Sequence, residues 1–556
     1  MTAARPVLRR ATIGVLAVVL AVVGLVAGPS STASAEPADV PGQYISKLYT
    51  EALGRLPYQT EWQAATQVFS EGGCSSQTLA EVGQQVYTSA DFAALGYDNV
   101  AKLSTLYRGV WNGEADVSGL SERRDELDHG ESWSTMVAKF FVSDEFNALV
   151  PKICAGARDS SATSYAWGSQ ASGALPSDSA GFNGGQDQLQ QILDDTPPGG
   201  TVQLAERALI TVTKPLSIPH GVTLTTTGEP DITHYAVMGR LVRDGDFNGP
   251  VVEVGGGAKL TGVWVDGARK SPGDGHPGRT DVRVLGGQRT QVSGNKISNS
   301  MGTAGIEVYG QARGYSCSDV TVSRNLITAY SNDHYLTRQL EDGTTAGMWT
   351  DGIASGCADT KITNNQIVDT GGVGIGLYPA TSSAAEGTSQ RSVISKNRVL
   401  SAGVPMYAAI VADPQYYLQG RGDASRYDYR GARIDDNLLW TAPNTHFVIG
   451  IAAGTRAWYG GTAMVGPNSG HGLAVSGNST GKLSARVRTG IAISGMDDVR
   501  LGANPADWSH DDVPGKTGNA CPAVDVAAST TAGTADGLQT RESFDDTGFD
   551  GCMGEP

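Results

Sequence analysis

One short pattern recurs between residues 290 and 480: an apolar β-branched residue, usually Ser or Thr, any residue, then Asn. It reads Val292-Ser293-Gly294-Asn295, Val322-Ser323-Arg324-Asn325, Ile362-Thr363-Asn364-Asn365, Ile394-Ser395-Lys396-Asn397, Ile434-Asp435-Asp436-Asn437 and Val475-Ser476-Gly477-Asn478. The asparagines follow one another at steps of 30, 40, 32, 40 and 41 residues. Each of the first five is followed by a second short strand: Gly305-Ile306, Gly352-Ile353, Gly374-Ile375, Ala409-Ile410 and Gly450-Ile451. Periods of this size mean stacked supersecondary units, one coil per repeat. A turn Asn kept at one register stacks into a ladder, bonding its neighbour and the local backbone. The Ile, Val and Leu positions then stack inside. The variable steps place insertions in the turns, where function usually sits.

The remainder of the 556 residues is too long to belong to one ordinary core. Residues 40–155 read as helical and duplicated. Leu48-Tyr49 opens one unit, closed by Ser89-Ala90-Asp91-Phe92; Leu106-Tyr107 opens the second, closed by Ser143-Asp144-Glu145-Phe146. Each Ser before the acidic-Phe pair reads as a helix cap. The run Leu48-Tyr49-Thr50-Glu51-Ala52-Leu53-Gly54-Arg55-Leu56-Pro57, with Trp62 after it, resembles the bacterial module called domain of unknown function 4214. That resemblance implies a secreted helical accessory module, with a cell-surface or protein partner, and no chemistry. A Ser/Ala/Gly-rich stretch, 156–183, reads as a linker.

Gln186–Asp195 looks like one amphipathic helix, followed by Pro198-Gly199-Gly200-Thr201-Val202-Gln203-Leu204. This succession resembles the start of pectate-lyase-like proteins, where a helix plugs the open end of the solenoid. The resemblance implies a right-handed parallel β-helix, an all-β fold, over 184–505, with the α-helical domain ahead of it and a C-terminal extension, 506–556, behind. An exposed solenoid end needs such a cap because it shows apolar core and unpaired strand edges.

The first 35 residues read as a signal peptide: Arg5, Arg9 and Arg10, an apolar run from Ile13 to Val26, then Ala33-Ser34-Ala35 as a cleavage site. The mature chain is expected to be secreted, extracellular and free of the membrane. Six cysteines in an exported chain suggest disulfides. Cys317 and Cys357 each lie eight residues before a ladder Asn, so they occupy the same place on neighbouring coils and are expected to pair. Cys74 with Cys154, and Cys521 with Cys552, are paired by domain. The net charge of −16, with no long basic run, argues against a nucleic-acid partner.

A solenoid presents a long groove suited to an extended polymer, so a polysaccharide is the expected partner. Trp349-Thr350-Asp351-Gly352-Ile353 resembles the Asn-Thr-Asp-Gly motif of the polygalacturonase family of glycoside hydrolases, which implies a catalytic carboxylate at Asp351. The chain departs from that family where an Asp-Asp pair is due, at Gly372-Val373-Gly374, and its Gly470-His471-Gly472 comes only in the sixth coil. Glu307 follows inward Ile306 and should face out, roughly 11 Å from Asp351 between backbones at standard strand spacing. The pair would serve as general acid and water-activating base. Asp333, His334 and Asp413 are supporting catalytic candidates. Tyr309, Tyr378, Trp349 and Arg338 are candidates for holding sugar; Tyr309, Tyr378 and Asp413 share one register. No metal or cofactor is expected for a hydrolase, and calcium would enter only for a lyase. Lyase or epimerase chemistry is the second reading; Asp413-Pro414 resembles part of the Asp-Pro-His motif of alginate epimerases, with Gln415 in place of His. A non-catalytic polysaccharide-binding or adhesive protein is the third.

Overall fold

The computed structural model describes residues 40–155, 179–269, 278–308, 318–328, 338–339, 345–346, 350–379, 389–413, 428–454, 470–494, 496–510, 524–526 and 532–533. From Thr201 onward the chain winds as a right-handed parallel β-helix with three sheets. Every strand pair between successive coils is parallel, and as far as Thr441 each sheet is entered once per coil. The first sheet runs from Thr201–Leu204 to Ala532–Gly533. The second runs from Leu209–Val212 to Leu438–Thr441, and the third from Leu216–Ile218 to Trp508–His510. Strands Val524–Val526 and Ala532–Gly533 pair onto the last coils, so solenoid pairing continues into the segment read as an extension.

The recurring tetrapeptide makes the corner between the first and second sheets. Its Ser or Thr ends a strand, its third residue takes the left-handed conformation, and its Asn turns inward. The third residues Gly294, Arg324, Asn364, Lys396, Asp436 and Gly477 have φ between 55° and 71°. Four of these carry a side chain, which this conformation tolerates only at a cost. The Asn offsets that cost. In Asn365, the side-chain nitrogen donates to the Val322 carbonyl at 2.9 Å and to Asn397 Oδ1 at 3.0 Å. Its own Oδ1 accepts from both the backbone N–H and the side chain of Asn325, at 3.1 and 3.0 Å. The same bonds link Asn295 to Asn325 and Asn397 to Asn437 to Asn478. The ladder then runs one step further than the pattern, to Asn504, at 2.9 Å from Asn478. Asn504 follows Leu501-Gly502-Ala503 and escapes the motif because no Ser or Thr precedes it.

At the other end, the helix Gln186–Asp195 closes the first coil. Leu189 and Leu193 enter the solenoid core. Gln190 donates to the Ser217 carbonyl and accepts from the Ser217 N–H, and Gln186 accepts from Thr213. The two amides therefore satisfy an edge that has no preceding strand. Phe182 already bridges Leu204, so the ordered solenoid begins just inside the stretch read as linker.

Residues 40–155 form eight helices. Ser89 and Ser143 accept the N–H of Phe92 and Phe146, at 3.1 Å each, and so cap helices as their positions suggest. A disulfide joins Cys74 and Cys154, with Cα atoms 5.6 Å apart. These helices are not a tethered appendage. They lie along the outer face of the second sheet, and one apolar cluster contains Leu48, Trp62, Leu106 and Phe140 together with Trp264, Val368, Leu400 and Trp440 of the sheet. The turn after the helix Gly42–Leu53 makes the closest contact. Gly54 has φ 61°, and a side chain there would overlap the Ile232 carbonyl. The Leu56 N–H donates to Gln366 at 2.6 Å, and Arg398 donates to the Pro57 carbonyl.

Beneath this turn lies a buried ionic network. Glu51 accepts from Lys296 at 2.8 and 2.9 Å and from the Tyr235 hydroxyl at 2.5 Å. Lys296 sits over the Tyr235 and Trp264 rings. Glu114 pairs with Arg108 at 2.9 Å and with Arg240 at 2.6 Å, and Arg240 also meets Asp266. No helix of the described residues is long and apolar enough to cross a membrane. The segment read as a signal peptide, Cys521 and Cys552 lie outside the described residues. So does Cys317; Cys357 is buried and disulfide-bonded. The bridge Ser318–Ala358, one residue beyond that cysteine pair, carries the register expected for it.

Candidate functional site

The third sheet's outer face carries the carboxylates. Its strands Ala304–Val308, Asp351–Ser355 and Val373–Leu377 are successive, with Ile306 opposite Ile353 and Ile353 opposite Ile375. These isoleucines belong to the solenoid core. Glu307, one residue on, faces outward as alternation requires. It is 15% exposed and held by Arg283 at 2.9 Å. Arg283 occupies the same place on the preceding coil. Val282-Arg283-Val284 shows the same apolar-charged-apolar alternation, which would have identified this partner from the sequence.

Asp351 stands two residues before Ile353, so unbroken alternation would turn it into the core. It faces outward instead, because Gly352 and Ile353 both face inward. A side chain on Gly352 would lie 2.9 Å from Ile367 and 3.3 Å from Thr370. One on Gly374 would lie 2.8 Å from Val399. Two successive inward residues cost the strand one step of alternation. The preceding residues, Asp351 and Val373, are thereby delivered to the outer face, where Val373 packs with Tyr378, Ala408, Val411 and Ala452.

Asp351 is 7% exposed. Its Oδ1 accepts the Val373 N–H at 2.8 Å, and its Oδ2 lies 3.1 Å from the Tyr378 hydroxyl. Burial pushes its carboxyl up to about 7, against the opposing pull of these two hydrogen bonds. At neutral pH it is therefore divided between the acid and the carboxylate.

Tyr378 is buried, with its ring folded back over Gly376, where any side chain would overlap it. Its face is thus turned to the sheet rather than offered to a ligand. Asp413 continues the same ladder one coil on. Tyr378 donates its N–H to Ser355 and Asp413 donates its own to Leu377. Asp413 is buried, and the register sets it two coils and five residues away from Asp351, so these two carboxyls do not meet. Asp333, His334, Tyr309 and Trp349 lie outside the described residues, as does the side chain of Arg338. Among the described residues, no group of three or more His, Cys, Asp or Glu is placed to hold a metal ion.

The outer face changes character at Asp351. Ahead of it, Glu253, Arg283 and Glu307 form one charged row. Behind it, the same row continues as Ala354, Gly376, Val411, Ala452 and Ala492.

No family model matches this chain, and no curated protein matches it. Among solved structures it is similar to an endo-xylogalacturonan hydrolase from Aspergillus tubingensis, at 12% identity, covering 64% of this chain and 89% of that one, with a TM-score of 0.32. It is similar also to an alginate lyase from Paenibacillus sp. str. FPU-7, at 14% identity over 63% and 97% of the two chains, TM-score 0.31. A mutant tailspike protein of E. coli bacteriophage HK620, in complex with pentasaccharide, is similar at 12% identity over 63% of each chain, TM-score 0.33. At these identities the likeness is one of fold.

Proposed function

We propose that this chain is a secreted carbohydrate-active enzyme that hydrolyses a polysaccharide laid over the third sheet. Asp351 is the general acid and Glu307 the base. The observation that carries this reading is the Asp351 carboxyl itself: outward on the sheet, desolvated, anchored at both oxygens and held near 7. A general acid works best with a pKa near the working pH, and an ordinary exposed Asp is fully ionised there.

Asp351 gives its proton to the glycosidic oxygen as the bond from that oxygen to the anomeric carbon breaks. Glu307, oriented by Arg283, takes a proton from the water that attacks the anomeric carbon from the opposite side. The products are a new reducing end and a free alcohol, with Asp351 ionised and Glu307 protonated until solvent exchange restores both. The two backbones are roughly 11 Å apart at ideal spacing. In the free protein Glu307 reaches back to Arg283 on the preceding coil and Asp351 reaches on to Val373 and Tyr378 on the following one. A bound substrate therefore has to draw Glu307 across toward Asp351 to bring the pair to the ~6.5–9.5 Å of inverting enzymes; the ~5–5.5 Å of retaining ones is not expected.

The test is a reducing-sugar screen of the mature protein on plant, algal and bacterial cell-wall polysaccharides, with Asp351→Asn beside it. Release of sugar by the parent and its loss in the variant support the reading. Full activity in the variant removes Asp351 from the mechanism. Products absorbing in the ultraviolet point to a lyase, and absence of cleavage on every polymer leaves a binding protein.

A further inference from the structure

Asp351 reaches two hydrogen-bond partners, and they differ in kind. The Val373 N–H is fixed and donates whatever the state of the carboxyl. The Tyr378 hydroxyl rotates: it donates to a carboxylate and accepts from a carboxylic acid. Because Oδ1 already takes an amide proton, the acidic proton belongs on Oδ2; it faces Tyr378 in the free protein and has to turn to the glycosidic oxygen once substrate is bound. The ring that carries this hydroxyl is buried and folded back along its own strand, and the fold permits this only because position 376 is glycine.

We propose that Tyr378 is a positioning residue for Asp351, its hydroxyl turning from acceptor to donor as Asp351 gives up its proton, with Gly376 as the gap that seats the ring. The proposal rests on the hydrolase reading for its consequence, but not for its geometry. A bond from Tyr378 becomes stronger as charge develops on Asp351, so it favours the transition state over the bound substrate.

Two substitutions separate this role from that of a sugar platform. Tyr378→Phe keeps the aromatic face and removes the hydroxyl, so a stacking role survives it and a positioning role does not. Gly376→Ala keeps the hydroxyl and displaces the ring. In both variants the positioning role predicts a kcat lower by about 10- to 100-fold, the range expected for one hydrogen bond to a charged group, with KM little changed. It also predicts that the Asp351 titration moves up, since a bond favouring the charged form is lost.

That titration is read without substrate, by carbon NMR of protein labelled at the aspartate carboxyls, with the Asp351 signal assigned from Asp351→Asn. A rise in both variants, or in Tyr378→Phe alone if Gly376→Ala fails to fold, bears the proposal out. An unchanged titration in Tyr378→Phe overturns it, even if a polymer is cleaved. A risen titration in a protein that cleaves no polymer removes the hydrolase reading and leaves Tyr378 in control of the Asp351 proton.

Discussion

Asp351 is a residue whose environment opposes its charge, and this has a consequence for stability as well as for chemistry. Its folded pKa, about 7, lies above the ordinary value of 3.8. Between those values the folded protein binds more protons than the unfolded chain, so stability falls as pH rises through that window. Asp351→Asn removes the penalty and keeps an acceptor for the Val373 N–H. Thermal melts should show the variant equal to the parent near pH 4 and higher melting at pH 8, while turnover falls by about 10²–10⁴-fold. A variant that melts lower at pH 8 would show the carboxylate to be structural. The sequence made Asp351 and Glu307 visible, one by its Thr-Asp-Gly setting and the other by alternation from Ile306. It did not show that Gly352 shifts the strand's phase, because a glycine's inward position is defined by Ile367 and Thr370 on another face of the coil.

At the scale of the element, the Asn ladder holds the corner of each coil. A ladder member in the middle makes four bonds, two given and two received, all buried. Asn365→Ala leaves the Asn325 N–H without its acceptor and takes one bond each from the Asn325 side chain, the Val322 carbonyl and Asn397 Oδ1; the Asn325 side chain keeps Val292 and Asn397 Oδ1 keeps the Asn365 N–H. At roughly 0.5–1.5 kcal/mol for each buried bond lost and about 1–3 kcal/mol for the orphaned N–H, a loss of about 3 kcal/mol or more is expected in denaturant unfolding. Asn504 stands at the end of the ladder and is partly exposed, so Asn504→Ala should cost clearly less. Equal losses at both positions would mean that the ladder is not the source of corner stability. Six of these asparagines were legible because each repeats with its own strand and turn residues around it. The seventh was not, since Gly502-Ala503 keeps the turn but not the pattern.

At the scale of the whole molecule, the helices and the solenoid share one core and one set of buried charges. Glu51 is held below the usual carboxylate range against burial, chiefly by Lys296 and Lys47, and Glu114 at about 2 by Arg108 and Arg240. Depressed acids contribute stability that is present above their unfolded value of 4.5 and lost as pH falls below it. Burial lowers Lys47 to about 7 and Lys296 to about 8, against 10.5 unfolded. Between those folded values and 10.5 the unfolded chain binds more protons, so this pair makes stability rise with pH there. Removing Lys296 strips the buried Glu51 of its hydrogen-bonded cation, with Lys47 still beside it. Lys296→Met is expected to cost about 3–5 kcal/mol, and the double variant Glu51→Leu, Lys296→Met to recover much of it. Calorimetry should find helices and solenoid melting together; a separate helical transition would show that the shared core does not couple them.

What the sequence determined by itself was the coil. The ladder, the inward isoleucines, the capping helix and the serine caps each depend on residues close in the chain or on a neighbour repeating the same pattern, so local chemistry and period suffice. What only the tertiary structure decided was where the helices go and how the acid is held. Gly54 and Leu56 meet Ile232 and Gln366 across more than a hundred residues of chain, and Glu51 meets Lys296 across more than two hundred. Trp264 and Trp440 face outward from the solenoid and are buried under helices. Such contacts repeat nowhere in the sequence, and they arise because an apolar sheet face must be covered by whatever part of the chain fits it.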